Sequence, residues 1–234
     1  MRPLSVIIPV AIGDESWKEL VPTLSYLEKD DEIILSSAQN LNAEIKSLIH
    51  RTNFRPTLVF CLSPSGRAKQ MNAGAKMAKN DFLLFLHADS KLPHDSFSKL
   101  KNHLITDYNG LYFFNLKFLS DGPALTKINS LGAWFRSNIL KLPFGDQGFC
   151  LNKNVFYDLG TFDETTPLGE DHLLVWMAHR KKIKVKSIQA PIYTSARRYR
   201  EEGWLKTTIR FFYLTQSQAI SQLRLLLKER RRHL

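Results

Sequence analysis

The chain has 234 residues, of which 44% are hydrophobic, and its 33 Lys and Arg against 22 Asp and Glu give a formal net charge of +11. This length accommodates one sizeable α/β domain with an appended segment, and two cysteines are too few for a disulfide framework. The sequence has no dinucleotide-binding or P-loop glycine motif, which disfavours dinucleotide oxidoreductases and P-loop NTPases.

The positive charge predicts an anionic partner, such as nucleic acid, phospholipid or a phosphorylated small molecule. It is concentrated in residues 197–234, which hold ten Lys and Arg but three Glu. The N-terminal residues enter a strand without the length or cleavage site of a signal peptide, so we expect a cytoplasmic protein. Cys61 and Cys150 lack metal-ligand spacing, and we expect both to be buried thiols in a reducing compartment.

Strands alternate with helices in the first half of the chain, a pattern that indicates a mainly parallel sheet. Strands are predicted at residues 4–9, 32–36, 57–62, 82–87, 112–118, 148–151, 182–188 and 192–195. Helices are predicted at residues 17–27, 43–51, 67–78, 123–140 and 171–180. Two further helices are predicted to begin near residue 93 and at residue 204, the latter continuing almost to the end of the chain.

An acid follows the fourth predicted strand. Residues 82–86 are apolar without alternation, as in a strand covered on both faces, and the chain continues His87-Ala88-Asp89-Ser90. Because ligands of open α/β sheets bind beyond the carboxyl ends of the strands, Asp89 is placed to hold a cation or a hydroxyl. The alternative is that Asp89 only caps the helix that starts near Pro93.

The helix before that strand carries small side chains and begins with Gly66 and Arg67. Backbone N–H groups and a guanidinium at a helix N-terminus can receive a phosphate. The alternative is a helix that packs tightly on the sheet and leaves Arg67 solvated.

Two further acidic motifs follow. In Gly145-Asp146-Gln147-Gly148, the flanking glycines predict a tight turn that exposes two hydrogen-bonding side chains, or simply a turn. Glu170 and Asp171 open a predicted helix, where carboxylates also complement the helix dipole without any further role.

These motifs carry a resemblance to family 2 inverting glycosyltransferases of GT-A fold, and within them to the compact bacterial subgroup named for arsenosugar biosynthesis. The matching strings, in chain order, are SVIIPV, GRAKQMNAGAKMA, FLHADS, GDQG, PLGEDHLL and TSARRY. The resemblance implies the GT-A (nucleotide-diphospho-sugar transferase) fold, with a mainly parallel Rossmann-like sheet and flanking helices, to which the residue pattern after 204 adds a C-terminal amphipathic helix. It also implies a nucleotide-sugar donor, a hydroxyl-bearing acceptor and a divalent cation, Mn²⁺ or Mg²⁺.

Roles are carried over residue by residue. Asp89 corresponds to the second acid of the family's Asp-x-Asp motif and is the metal-binding carboxylate. In this chain, His87 replaces the first acid of that motif. The resemblance makes Asp171 the general base, with Glu170 orienting it or the acceptor, and it places Asp146 and Gln147 on the acceptor side. The residues expected on the donor or diphosphate side are Pro9, Glu15, Ser36, Gly66, Arg67, Asn72, Arg197 and Arg198.

The chain departs from the family pattern on the donor side. After the second strand it has hydroxyls and an amide from Ser36 to Gln39 where many relatives have Asp, so uridine, guanosine and thymidine donors all stay open. After Pro9 a longer segment replaces a short Asn-Glu turn. There, Asp14 or Glu15 either takes over the donor contact or begins a helix.

The expected domain division is a glycosyltransferase domain at residues 1–200 and a basic amphipathic helix at 201–234. This helix is too polar to span a membrane. It either lies peripherally on the inner face of the membrane, or packs on the domain or on a second copy. Its apolar stripe is Ile209, Tyr213, Ile220, Leu223 and Leu227, and its flanking cations are Lys206, Arg210, Arg224 and Lys228.

Two other functions compete with glycosyl transfer. A sugar-phosphate nucleotidyltransferase shares the fold type, but its glycine-rich basic loop after the first strand is missing here. A non-enzymatic basic module would bind a membrane or nucleic acid, yet no aromatics interleave with Lys and Arg, so no nucleic-acid partner is expected. The enzymatic interpretation requires Asp89, Asp146 and Asp171 to converge on one crevice.

Overall fold

A computed structural model describes residues 2–51, 54, 56–166 and 168–232, with backbone alone at residues 51, 221 and 225–232. The strands are β1 Leu4–Val10, β2 Glu32–Ser37, β3 Thr57–Leu62, β4 Phe82–Phe85, β5 Ser90–Lys91, β6 Gly110–Phe118, β7 Phe149–Asn152 and β8 Lys184–Thr194. The helices are α1 Trp17–Thr23, α2 Asn42–Arg51, α3 Arg67–Met77, α4 His94–Thr106, α5 Thr126–Asn138, α6 Lys153–Asp158, α7 Glu170–Arg180, α8 Arg197–Glu201 and α9 Trp204–Arg232. A 3₁₀ turn, Gly145–Gln147, precedes β7.

The described strands form one mixed sheet in the order β3-β2-β1-β4-β7-β6-β8-β5. Strands β1 to β4 pair in parallel, so their carboxyl ends meet at one edge, as the sequence predicts. Strand β7 lies antiparallel between β4 and β6, and β8 runs parallel to β6. This sheet with helices on its faces confirms the expected α/β class.

The apolar strands β1 and β4 are buried on both faces, which explains why they lack polar alternation. Val6 and Leu84 belong to the apolar cluster on one face of the sheet, and Ile7 and Leu83 belong to the cluster on the other. Both clusters are completely enclosed at these positions. The central strands therefore form a rigid support for the loops that follow their carboxyl ends.

Helix α3 packs closely on this sheet. A Cβ added to Gly74 would lie 2.6 Å from Cγ2 of Ile7, so the small side chains of the helix permit a close approach. Cys61 and Cys150 are both buried free thiols, as expected.

The structure differs from the predicted elements around β8 and at the end of β4. The two strands predicted at residues 182–188 and 192–195 are one strand, β8 (Lys184–Thr194), which continues through an irregularity opposite Phe113 and Asn115. Gln189 there has a φ of 55°, a backbone conformation that few non-glycine residues adopt. The short strand β5 was not predicted, and β4 ends at Phe85 rather than at residue 87.

Candidate active site

The three residues His87 to Asp89 leave the end of β4 in a turn, which the Ser90 N–H closes by donating to the His87 carbonyl at 3.1 Å. Asp89 does not cap α4, because Pro93 occupies the N-cap position. The half-buried Asp89 carboxyl therefore keeps no helix-capping role. Burial raises its pKa, and the charge of Asp14 adds to this effect.

Asp89 lines an open cavity of about 820 Å³. Glu15 and Arg197, both predicted on the donor side, line the same cavity, together with Asp121 and Ser195. Asp121 holds the segment before α8 in place, because its carboxylate accepts hydrogen bonds from the Ser195 hydroxyl at 2.5 Å and from the Ala196 N–H at 2.8 Å. The structure thus brings the segment after β1, the turn after β4 and the start of α8 around one space.

A second group of residues meets beside this turn. The Gly145 N–H donates to Oδ2 of Asp171 at 2.5 Å, and the His172 N–H donates to Oδ1 at 2.9 Å. A Cβ added to Gly145 would lie 2.9 Å from Oδ2 of Asp171 and 3.3 Å from Nε2 of His87. The end of β4, the 3₁₀ turn and the first turn of α7 therefore converge here.

The electrostatics hold Asp171 ionised. Burial alone would raise its pKa, but the Arg67 charge and the N–H groups of Gly145 and His172 lower it below the ordinary value. The pKa of His87 is lowered by burial and by the charges of Arg67 and Arg198, so its imidazole is neutral at pH 7.

Asp146 has a different environment. Burial raises its pKa to about 6; the charge of Arg136 opposes the shift, while those of Asp171 and Asp89 add to it. Its Oδ1 is buried and has no hydrogen-bond partner among the described residues. The charges of Asp89 and Asp171 both act on Asp146, so the three carboxyl groups lie in one region, although of the three only Asp89 lines the cavity described above.

Arg67 and Glu170 form an ion pair at this site. The Glu170 side chain is 4% exposed and that of Arg67 is 39% exposed, so the guanidinium retains a surface for a ligand. Gly66, with a φ of 124°, is the N-cap of α3 and leads directly into Arg67. The pair connects the start of α3 to the start of α7.

The prediction that the turn exposes the Gln147 side chain is wrong. It is completely buried, and its Oε1 accepts hydrogen bonds from the Phe144 N–H, the Ser137 hydroxyl and the Arg136 guanidinium. Its Nε2 donates to the Phe114 carbonyl at 2.9 Å. With all of these groups engaged inside the protein, Gln147 holds the turn that presents Asp146.

Other predicted donor residues lie away from the cavity lining. Pro9 and Ser36 are buried neighbours on β1 and β2, and Asn72 holds the Phe162 backbone through two hydrogen bonds of 2.9 and 3.1 Å. Arg198 is exposed, 3.9 Å from Glu202, although its charge reaches His87 and Asp89. Donor contacts by these four residues stay predictions.

Two residues at this site were missed by sequence reasoning. Arg136 of α5 lies 3.5 Å from the Phe144 ring centroid, donates to the Leu142 carbonyl at 2.9 Å, and places its charge beside Asp146. No local motif distinguishes it from other helical arginines. His172, whose Nε2 accepts from Trp176 and whose Nδ1 faces Gln218, could have been noticed because it directly follows Asp171.

Comparisons with known proteins agree with this architecture. The family model "Glycosyl transferase family 2" matches residues 5–163. Among curated proteins, no sequence gives a significant match.

Solved structures match across most of the chain. S. aureus TarS 1–349 in complex with UDP-GlcNAc has a TM-score of 0.61 at 18% identity, covering 83% of this chain and 58% of that one. GalNAc-T7 with UDP, GalNAc and Mn²⁺ has a TM-score of 0.61 at 14% identity, covering 83% of this chain and 43% of that one. The chain thus spans little more than half of the TarS fragment, and at these identities the likeness establishes the fold. Since the family model covers more than half of its length, the chain belongs to glycosyl transferase family 2, with the GT-A fold of these neighbours.

Proposed function

We propose that this protein transfers a sugar from a nucleoside-diphosphate donor to an acceptor hydroxyl with inversion at the anomeric carbon. The observation that carries the proposal is the meeting of the end of β4, the 3₁₀ turn and the start of α7, which brings His87 and Asp171 to the turn that holds Asp146, within reach of the Asp89 charge. The six ordered strings favour the compact arsenosugar-biosynthesis type within the family.

The donor diphosphate would lie near Asp89, since the cavity there is also lined by the cation Arg197 and by Glu15. Arg67 is the second cationic group for the diphosphate, because part of its guanidinium stays exposed beside the N-terminus of α3. The structural neighbours TarS and GalNAc-T7 were solved with uridine nucleotides, which makes UDP the first donor fragment to test.

Asp171 would act as the general base. The acceptor hydroxyl gives its proton to Asp171 while its oxygen forms the new bond to the anomeric carbon, and the bond to the diphosphate oxygen breaks. Hydrogen bonds from Gly145 and His172 hold the carboxylate in one orientation for this step. A single displacement of this kind inverts the anomeric centre.

Asp146 would bind the acceptor. Its buried Oδ1 lacks a partner among the described residues, and an acceptor hydroxyl would supply the missing hydrogen bond. A site that hydrogen-bonds a hydroxyl in this way rejects analogues lacking it.

The residues present fit a divalent cation that binds one protein carboxylate and otherwise the diphosphate oxygens of the donor and water. Within the described ranges, no three His, Cys, Asp or Glu side chains are grouped to hold a metal by themselves. Asp89 offers one carboxylate whose ionised form is disfavoured by burial and would gain from a nearby cation. Mg²⁺ and Mn²⁺ accept one protein carboxylate when waters and phosphate oxygens complete the shell. When bound, such a cation offsets the charge that develops on the departing diphosphate.

A thermal-shift panel tests this proposal with UDP, GDP and dTDP, each with and without Mn²⁺. One diphosphate should raise the apparent melting temperature of the wild type in a Mn²⁺-dependent manner, because ligand binding to the folded state stabilises it. Asp89→Asn should lose the Mn²⁺-dependent part. No shift with any nucleoside diphosphate in the presence of Mn²⁺ would contradict the proposal.

A further inference from the structure

Helix α9 contacts the rest of the protein largely through polar side chains, together with Phe211, whose ring lies beside that of Tyr199. Gln218 donates to the Leu168 carbonyl at 2.9 Å and faces Nδ1 of His172 at 3.2 Å, and Gln222 accepts from Arg180 at 2.8 Å. Near the start of the helix, Thr208 accepts from Asn129 of α5 at 3.0 Å. The apolar stripe of the helix therefore does not cover the core, where the apolar face of an amphipathic helix usually lies.

The apolar side of α9 is consequently exposed. Its residues recur at helical spacing along one line, and each is between 46% and 64% exposed: Leu205, Ile209, Phe212, Ile220 and Leu223. Tyr213, which the sequence placed on the apolar stripe, is 72% exposed. The side chains of Leu227 and Lys228, also assigned to this helix surface, lie outside the described residues.

Helix α5 exposes a similar set of side chains. Ile128, Leu131, Trp134 and Phe135 are between 41% and 68% exposed, and Ile139 and Leu140 directly after the helix are 55% and 53% exposed. Asn129 links α5 to the start of α9, because it also accepts a hydrogen bond from the Trp204 indole at 2.6 Å. Helices α5 and α9 are therefore neighbours.

All charged residues on these two segments are cations. Residues 123–143 and 204–224 contain no Asp or Glu, whereas they contain Lys127, Arg136, Lys141, Lys206, Arg210 and Arg224. Over the described part of the chain, no helix is long and apolar enough to cross a bilayer. An apolar line flanked by cations matches a surface that lies in the plane of an anionic lipid interface.

We infer that the exposed apolar residues of α5 and α9 dock the protein on an anionic membrane surface. A second copy is a poorer occupant, because it would bring two predominantly cationic surfaces together, and the nearby acid Glu202 already pairs with Arg210. A lipid headgroup layer supplies both the negative charge and the apolar depth. Because Gln218 lies on the opposite side of α9, docking leaves its contacts with α7 in place.

Co-sedimentation of the full chain with vesicles tests this inference. One vesicle type is phosphatidylcholine alone and the other contains phosphatidylcholine and phosphatidylglycerol at about 7:3. The protein should bind the anionic vesicles, and binding should weaken as salt rises. Two paired variants, Ile209→Asn with Phe212→Asn on α9 and Ile128→Asn with Leu131→Asn on α5, should each lower partition about tenfold or more. Lys206→Gln should lower it about fivefold.

Matched controls are available on α4, which also exposes an apolar residue and a cation. Ile105→Asn and Lys99→Gln should bind vesicles as the wild type does. Equal binding to both vesicle types, or binding that the α5 and α9 variants leave unchanged, would overturn the inference. It would also be overturned if sedimentation analysis showed a dimer that these variants dissociate, without vesicle binding.

Discussion

The backbone N–H of Gly145 donates a 2.5 Å hydrogen bond to Oδ2 of Asp171, joining the 3₁₀ turn before β7 to the first turn of α7. The carboxylate proposed as the base is therefore oriented by backbone rather than by a flexible side chain. A second backbone N–H, from His172, holds the other oxygen. Pre-organisation of this kind reduces the rearrangement needed when the proton moves.

Gly145→Ala tests this close approach. The added Cβ would lie 2.9 Å from Oδ2 of Asp171, so the carboxylate must shift. We expect turnover to fall about 100-fold, the scale of a displaced catalytic group, with a folded protein by circular dichroism. Gly132→Ala on α5 is the matched control, because a Cβ there meets nothing within 4 Å. Equal activity of the two variants would remove the positional role of the turn.

The raised pKa of Asp146 predicts a pH-dependent stability. With a pKa of about 6 in the folded state against 3.8 ordinarily, its ionisation costs about 3 kcal/mol once the pH exceeds 6, and nothing at pH below 3.8. Asp146→Asn should therefore raise the free energy of unfolding by up to about 3 kcal/mol at pH 8, with little change at pH 4. Urea denaturation at both pH values measures this. A difference of the same size at both would show that Asp146 is not strained by ionisation.

Variants of the Arg67–Glu170 ion pair distinguish a structural role of Arg67 from a role in diphosphate binding. Arg67→Met leaves the Glu170 carboxylate buried without its partner, which should cost about 3–5 kcal/mol of stability. Adding Glu170→Gln should recover most of that loss. If Arg67 also binds the diphosphate, the double variant will be stable yet bind UDP with Mn²⁺ at least about tenfold more weakly, measured by calorimetry. Wild-type UDP affinity in the double variant would restrict Arg67 to a structural role.

Gln218 connects α9 to α7, the helix that begins with Glu170 and Asp171. Gln218→Ala removes its hydrogen bonds to the Leu168 carbonyl and to His172, and should cost about 1–2 kcal/mol of stability. It should also expose the α9 backbone to faster limited proteolysis. Gln216→Ala, on the exposed side of the same helix, is the control and should behave as the wild type. Identical proteolysis of both variants would contradict the packing of α9 against His172 and Leu168.

The sequence predicted the parts of this structure that local patterns determine. The apolar run of β4 predicted burial on both faces because a strand so covered has no polar side, and the position of Asp89 followed from the parallel sheet. Gln147 was misjudged because its partners come from α5, about ten residues upstream, and from β6. Nor could the pattern of α5 and α9 show which helix face is exposed, since periodicity marks an apolar face without saying what covers it.

Asp171→Asn gives the most direct test of the central claim. The thermal-shift panel first identifies the nucleoside diphosphate that binds. The two measurements are then the rate at which the corresponding nucleotide sugar is turned over, and the affinity for that diphosphate with Mn²⁺ by calorimetry. Loss of the base should lower turnover about 100- to 10,000-fold while changing the affinity by less than about threefold. Undiminished turnover in a folded Asp171→Asn protein would contradict the assignment of the base and the site built around it.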